Sequence, residues 1–241
     1  MRYTLEVIAY NIESCGIAQE NGADRIELCA NPGEGGTTPS YGMVRAAKEK
    51  CSIPVFVMIR PRGGDFLYSD EEFQIMRDDI IQCRDYGCDG VVLGLLNADG
   101  SVDIKRTKEL VQLAYPMEVT FHRAFDRVKD AHQSLEDVIA CGCTRILTSG
   151  LQPTARQGIS LIRELVELAA ERIIIMPGSG VRSSNIEGLI ELSGAVEFHT
   201  SAGKMRETGM EFRNLDMEES LQWHVPDGNE IHLIKTILSN R

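Results

Sequence analysis

Short apolar runs alternate with amphipathic stretches along most of this chain. Runs rich in β-branched and aromatic residues predict strands at 3–9, 24–28, 54–59, 89–95, 117–122, 145–149, 172–176 and 195–199. Between them, apolar residues at helical spacing predict helices at 12–21, 40–50, 69–86, 103–114, 130–141, 154–171 and 183–192. The repeating unit of about 30 residues matches a strand–helix unit of a parallel sheet.

Eight such units predict an α/β fold, a single-domain (β/α)₈ TIM barrel that occupies residues 1–241. A doubly wound open sheet is the alternative, but the first strand lacks the Gly-x-Gly-x-x-Gly turn of a dinucleotide-binding fold. The rhythm breaks at 204–226, which is polar and irregular and could form a lid or an interface. A helical pattern resumes at 231–238, as the last helix of the barrel.

The composition narrows the possible partners. A formal charge of −11 argues against nucleic acid and against an anionic membrane surface. No apolar run approaches the roughly 20 residues that span a bilayer. Glu6 comes too early for a signal peptide, so we expect a cytoplasmic protein. The seven cysteines include no Cys-x-x-Cys pair, and as a rule they are expected to be small buried hydrophobes.

Charged and polar residues recur where the predicted strands end. Barrel strands are buried on both faces, so these residues need a reason, and active sites of such barrels lie at the carboxyl ends of the strands. Side-chain alternation predicts that four of them point inward and meet at the mouth of the barrel: Glu27, Arg60, His122 and His199. The alternatives are a structural Glu27–Arg60 ion pair and histidines that belong to the core.

An anion site is one interpretation of these strand ends. Gly178 and Gly180 follow the seventh strand and precede a helix, where backbone N–H groups can bind phosphate, although a plain tight turn would look the same. Guanidinium groups suit carboxylates and phosphates. The full set of candidate anion-binding or substrate-binding residues is Arg60, Arg62, Asp65, Arg123, Asp126, Ser149, Gly178 and Gly180.

Two further chemistries use the same strand ends. Glu27, His122 and Glu197 are candidate catalytic residues, because acid–base catalysis needs titratable groups near the reacting atom. Cys29, His122 and His199 are candidate metal ligands, with sulfur and imidazole donors that suit copper or zinc.

Seven segments in this order resemble the CutC family, which is named for copper homeostasis. They are 22–29 (GADRIELC), 34–40 (EGGTTPS), 59–66 (IRPRGGDF), 120–126 (TFHRAFD), 147–150 (LTSG), 178–181 (GSGV) and 197–201 (EFHTS). The resemblance implies a cytosolic (β/α)₈ barrel that forms a homodimer or higher homo-oligomer, takes part in copper homeostasis and binds copper ion.

Three functions therefore remain open at the level of sequence. The first is a copper-binding protein, with copper as its ligand. The second is an enzyme that acts on a small anionic metabolite, phosphorylated or carboxylated, through the Arg, Glu and His residues of the mouth. The third is a non-catalytic scaffold that uses the 204–226 segment, with Trp223 and His224, to bind a partner.

Overall fold

The computed structural model describes residues 3–214 and 216–241. Its strands are β1 (Thr4–Ala9), β2 (Arg25–Leu28), β3 (Val55–Met58), β4 (Gly90–Leu93), β5 (Glu118–Phe121), β6 (Arg145–Thr148), β7 (Ile174–Pro177), β8 (Glu197–Thr200), β9 (Gly203–Arg206) and β10 (Trp223–Pro226). Its α-helices are α1 (Ile12–Glu20), α2 (Tyr41–Lys50), α3 (Asp70–Asp85), α4 (Ile104–Ala114), α5 (Ala131–Cys141), α6 (Ile159–Ala169), α7 (Ile186–Ser193) and α8 (Gly228–Ser239). Short 3₁₀ helices cover Pro32–Glu34 and Arg123–Arg127.

The first eight strands form one parallel sheet in the order β7-β6-β5-β4-β3-β2-β1-β8. The order is sequential and returns the last strand to the first, with Glu6 of β1 opposite His199 of β8. Strands β7 and β8 face each other across the remaining seam, so the barrel is nearly closed. A doubly wound sheet would reverse its strand order in the middle. The predicted (β/α)₈ barrel is therefore confirmed.

The outer face of the sheet carries the aliphatic core. Side chains such as Leu5, Val57 and Leu93 are fully buried there and pack in one cluster with Ile80 and Leu110 of the surrounding helices. This layer explains why the strands appear as apolar runs in the sequence, since every second residue must be apolar to seat the helices. It also leaves the inner positions free for other residue types.

The interior of the barrel is charged. Bulky aliphatic side chains usually fill this space, but here it contains several ionisable side chains, each less than 9% exposed: Glu6, Arg25, Glu27, Arg145, Glu197 and His199. Arg25 reaches across the barrel, because its Nη2 lies 3.3 Å from the sulfur of Met176 on β7. Buried charges persist only when they are paired, so this interior is a connected network.

Two helices begin later than the hydrophobic pattern predicts. Helix α6 begins at Ile159 and not at 154, because the backbones of Ser149 and Gly158 meet so closely that a Cβ on Gly158 would lie 2.0 Å from the Ser149 carbonyl. Helix α7 begins at Ile186 and not at 183, because the Ser183 N–H donates a 2.7 Å hydrogen bond to the Glu230 carboxylate on α8.

The segment 204–226, here named the C-terminal arm, is more regular than the sequence predicts. Its two ends form an antiparallel ribbon of β9 and β10, with Met205 opposite His224. The described residues between them are mostly exposed and irregular, and Leu215 lies outside the described residues. Helix α8 follows at Gly228, slightly before the predicted start.

Across the described ranges, 3–214 and 216–241, no helix combines the length and the apolar character that crossing a membrane requires.

Candidate functional site

A cavity of about 200 Å³ lies at the carboxyl ends of the barrel strands, and we name it the mouth cavity. The four side chains expected to converge there all line it. Its lining residues are Ile8, Tyr10, Glu27, Gly35, Met58, Arg60, Phe66, His122, Arg123, Leu147, Ser179, Gly180, His199 and Ser201. Parallel strands bring residues far apart in sequence to one place, because all their carboxyl ends share one end of the barrel.

His199 is held between two buried carboxylates. Its Nδ1 lies 2.8 Å from Glu6 Oε1, and its Nε2 lies 3.8 Å from Glu27 Oε2. Donor atoms of these three residues lie within 4.8 Å of one another, close enough to share a metal ion. Because Glu6 accepts the proton of Nδ1, a neutral His199 presents the lone pair of Nε2 toward Glu27.

The same contacts set the protonation of the three groups. Burial would raise the pKa of Glu6, but Arg25 and His199 outweigh it and lower that pKa to about 2. Burial raises the pKa of Glu27 to about 7. Burial also disfavours the charged form of His199, yet the carboxylates of Glu27 and Glu6 outweigh it and raise its pKa. Near neutral pH the Glu27 carboxyl therefore gains or loses a proton with a small change of pH.

Cys29 lies beside this group. Its thiol donates to Glu27 Oε2 at 3.6 Å, and it packs with Met58 in a small cluster inside the barrel. Burial, together with the neighbouring Glu27, raises the pKa of Cys29 well above that of an ordinary thiol. The free protein therefore holds a protonated thiol, a thioether and an imidazole close to one carboxylate.

His122 lines the mouth cavity but makes different contacts. Its Nδ1 accepts the backbone N–H of Ala124 at 3.1 Å, and its ring lies 5.0 Å from the ring of Phe66. Burial, and then the nearby Arg60 charge, lower the pKa of His122 to about 3. A neutral ring whose Nδ1 accepts must carry its proton on Nε2, and that buried nitrogen has no partner.

Arg60 does not form the structural ion pair with Glu27 that the sequence left open. Its Nη1 donates to the carbonyls of Glu34 at 2.6 Å and Gly36 at 2.9 Å, and its Nη2 donates to the carbonyl of Gly64 at 2.9 Å. Its guanidinium also lies over the ring of Phe66. Arg60 thus connects two loops at the edge of the mouth.

A chain of ion pairs runs from the mouth to the opposite end of the barrel. Glu6 Oε2 accepts from Arg25 at 2.6 Å, and Arg25 also donates to Glu197 at 2.6 Å. Glu197 accepts from Arg145 at 3.1 Å, and Arg145 pairs with the half-exposed Glu118. Glu197 begins β8, so the structure places this predicted catalytic residue at the amino-terminal end and not at the mouth.

Arg62 and Asp65, two of the predicted anion-binding residues, do not line the mouth cavity. Arg62 donates to Glu72 at 2.6 Å and to the carbonyl of Leu67 at 2.9 Å, and it pairs with Asp65 at 2.9 Å. These contacts fasten the loop between β3 and α3. The position of Arg62 therefore supports loop structure more directly than ligand binding.

Arg123, Asp126 and Ser149 form a second cluster beside the mouth. Asp126 accepts from Arg123 at 2.7 Å and from the Ser149 hydroxyl at 2.9 Å, and it also accepts from Thr148 and from the backbone of Leu151. Arg123 and Asp126 line an adjoining cavity of about 560 Å³. Arg123 is 44% exposed along its side chain, so it remains accessible there.

The glycines predicted to bind an anion occupy a tight turn after β7. The Gly178 N–H donates to the Thr148 carbonyl at 2.9 Å, and a Cβ on Gly178 would lie 2.4 Å from Leu147. Gly180 has φ of +74° and lines the mouth cavity. Close packing accounts for Gly178 and backbone conformation for Gly180. At the start of α7, the Ser183 N–H already binds the Glu230 carboxylate.

Glu6 is the residue that sequence reasoning passed over. The sequence alone assigns it to no site, although it bonds His199 and completes the group with Glu27. Its alternation with buried aliphatic neighbours in β1 was a usable signal. Its partner was hidden, because β1 meets β8 only when the barrel closes. His122, in contrast, lies outside this group of three.

Comparison with known proteins places the chain in one family. The model of the CutC family matches residues 3–204. A CutC family protein from Chromobacterium violaceum is 54% identical over 209 residues, which cover 87% of this chain and 85% of that protein. The human copper homeostasis protein cutC homolog is 49% identical over 212 residues, 88% of this chain and 78% of that protein.

Solved structures agree with the sequence comparison. A CutC crystal structure from Streptococcus agalactiae superposes with a TM-score of 0.79 at 35% identity, covering 83% of this chain and 98% of that one. These findings favour an assignment to copper homeostasis over the alternative of an enzyme for a small anionic metabolite.

Proposed function

This chain belongs to the CutC family of copper homeostasis, and from that premise we propose that it binds a copper ion at the mouth of its barrel. The proposed ligands are Cys29, Glu27 and the Nε2 of His199. The observation that carries the proposal is the Glu6–His199 hydrogen bond of 2.8 Å. A histidine that binds metal usually donates its other ring proton to a carboxylate, which fixes the ring and strengthens the ligand.

The donor set fits copper. Thiolate and imidazole are ligands that suit copper, and soft sulfur ligands select Cu(I). Cys29 and His199 both approach the same oxygen of Glu27, at 3.6 Å and 3.8 Å. Glu27 Oε1 is buried and has no hydrogen-bond partner in the described part of the chain, so this carboxylate has an unused lone pair. The third ligand predicted from sequence, His122, has its Nδ1 occupied and its proton on Nε2, and would have to change tautomer to bind metal.

Copper binding at this site must release protons. The thiol of Cys29 has a raised pKa, as does the imidazole of His199, and both must lose a proton to become ligands. We expect the affinity for copper to rise as the pH rises through neutrality and into the alkaline range. Because the metal competes with protons for these ligands, a small change in pH is expected to change how much metal is bound.

Location and assembly form part of the same proposal. All seven cysteines are free, as is usual in the reducing cytoplasm, where we propose that the protein works. We also propose a homo-oligomer, because the C-terminal arm exposes large apolar side chains that a monomer would leave in water, including Met210, Phe212 and Met217.

The test is an anaerobic Cu(I) titration of metal-free protein against a chromophoric chelator. We expect about one copper per chain, with binding weakened at least about tenfold in Cys29→Ser and in His199→Gln, since each change removes a ligand. Cys143→Ser is the matched control, because Cys143 is an equally buried free thiol outside the mouth. Copper held equally well by both mouth variants, or none held by the wild type, would refute the proposal.

A further inference from the structure

Three residues that line the mouth cavity each have a buried side-chain atom with no hydrogen-bond partner among residues 3–214 and 216–241. The three atoms are Glu27 Oε1, Arg60 Nε and His122 Nε2. Buried polar atoms in folded proteins almost always find a partner. Three unpartnered atoms at one small cavity therefore indicate groups that a ligand completes.

Two of the three atoms are hydrogen-bond donors. The Ala124 N–H occupies Nδ1 of His122 at 3.1 Å, so the proton lies on Nε2. Arg60 Nε–H is a donor by its chemistry, and the other two nitrogens of this guanidinium donate to backbone carbonyls. A ligand that satisfies both residues must present acceptor oxygens to them.

The charge of Arg60 specifies the ligand further. Arg60 is 5% exposed. Among the described residues, no carboxylate lies within 4.0 Å of its guanidinium nitrogens, so none forms an ion pair with it. The partners of Arg60 are all neutral: backbone carbonyls, the Phe66 ring and the nearby Tyr68 hydroxyl. A buried cation in such surroundings favours an anionic ligand, which supplies the missing charge. A carboxylate provides both the charge and the two acceptor oxygens.

Glu27 supplies the complementary group. Its free Oε1 is an acceptor when the carboxyl is ionised, so it suits a hydroxyl that donates. The cavity has a volume of about 200 Å³, which suits a small ligand. We propose that the mouth cavity binds a small hydroxycarboxylate, with its carboxylate on Arg60 and His122 and its hydroxyl on Glu27.

This inference goes beyond copper binding. Glu27 takes part in both proposals, but Arg60 and His122 are not among the proposed copper ligands, so a change at His122 tests this inference separately. The test is isothermal titration of metal-stripped protein with acetate, glycolate, lactate and glycerate. We expect the hydroxy acids to bind, and to bind more tightly than acetate, since only they offer a hydroxyl to Glu27.

His122→Asn is the decisive variant. Asn remains a good N-cap for the turn that begins at Arg123, but it removes the Nε2–H donor. Because a hydrogen bond to a charged group is lost, we expect the affinity for glycolate to fall about 10- to 100-fold. His132→Asn is the control, since His132 is exposed on the surface beside Glu164. This variant should bind glycolate as tightly as the wild type does.

The outcomes separate this proposal from the copper proposal. Cys29→Ser should lose copper and keep glycolate binding, whereas His122→Asn should lose glycolate. Failure of all four acids to bind at millimolar concentration would overturn the inference. So would equal affinity of the wild type and His122→Asn, or glycolate that binds no more tightly than acetate.

Discussion

At the scale of single residues, two histidines of one cavity have pKa values that are shifted in opposite directions. His199 faces two carboxylates, which raise its pKa in spite of burial. His122 faces the Arg60 cation and a backbone N–H, and its pKa falls to about 3. The same side chain thus holds its proton more strongly in one place and is a neutral hydrogen-bond donor in the other, because the charges beside it differ.

Glu27 gives the first prediction at this scale. Its pKa of about 7 lies above the ordinary 4.5, so the folded state retains a proton that the unfolded state loses. Its contribution to stability is therefore full below about pH 4.5, falls as the pH rises to 7, and stays low above that. We expect Glu27→Gln to raise the free energy of unfolding at pH 8 by about 1–3 kcal/mol and to change it little at pH 4.5.

Urea unfolding of the wild type and Glu27→Gln at both pH values measures this difference. Glu167→Gln is the control, because Glu167 belongs to an exposed ion pair with Arg163 that contributes about 0–1 kcal/mol. A variant that is no more stable than the wild type at pH 8 would show that Glu27 carries no such penalty.

At the scale of elements, the start of α3 controls the loop that carries the arginines. The Ser69 hydroxyl accepts the N–H of Glu72, and the Ser69 N–H donates to the Glu72 carboxylate. Glu72 also pairs with Arg62, which holds the loop from the other side. This capping box therefore connects a helix end to the loop that contains Arg60, a residue that lines the mouth cavity.

Ser69→Ala tests this connection. We expect the free energy of unfolding to fall by about 1 kcal/mol, because the change leaves an N–H at the start of α3 without its acceptor. Thermal or urea unfolding measures the loss. Ser160→Ala is the control, since Ser160 is an exposed residue within α6 and Ala favours a helix interior. Equal stability of Ser69→Ala and the wild type would argue against the cap.

At the scale of the whole molecule, the ion-pair chain joins both ends of the barrel. Glu6, Arg25 and Glu197 are almost completely buried, and Arg25 forms an ion pair with each of the two carboxylates. Arg145 pairs with Glu197 and extends the network to Glu118 at the surface. Replacing aliphatic filling by charges is costly, and the network is stable only while every charge is paired. The group that binds His199 is therefore held in place by residues at the far end of the barrel.

Arg25→Leu removes the centre of this chain. We expect it to lower the free energy of unfolding by about 3–5 kcal/mol, because Glu6 and Glu197 would each lose a 2.6 Å ion pair inside the barrel. Arg163→Leu, which breaks only the exposed pair with Glu167, should cost less than about 1 kcal/mol. Urea unfolding at pH 7 compares the two, and similar losses in both would mean that the chain contributes no more than a surface pair.

Two features could be predicted from the sequence because both depend on local periodicity. They are the barrel fold and the inward positions of Glu27, Arg60, His122 and His199. Eight alternations of strand and helix fix the fold class, and a period of two fixes which side of a strand a residue occupies. Which of these residues contact one another depends on the tertiary structure. Closure of the barrel puts Glu6 beside His199, strand position sends Glu197 to the other end, and loop contacts turn Arg62 away from the mouth. The Glu6–His199 contact joins residues 193 positions apart, and no local pattern in the sequence predicts a contact between residues so far apart.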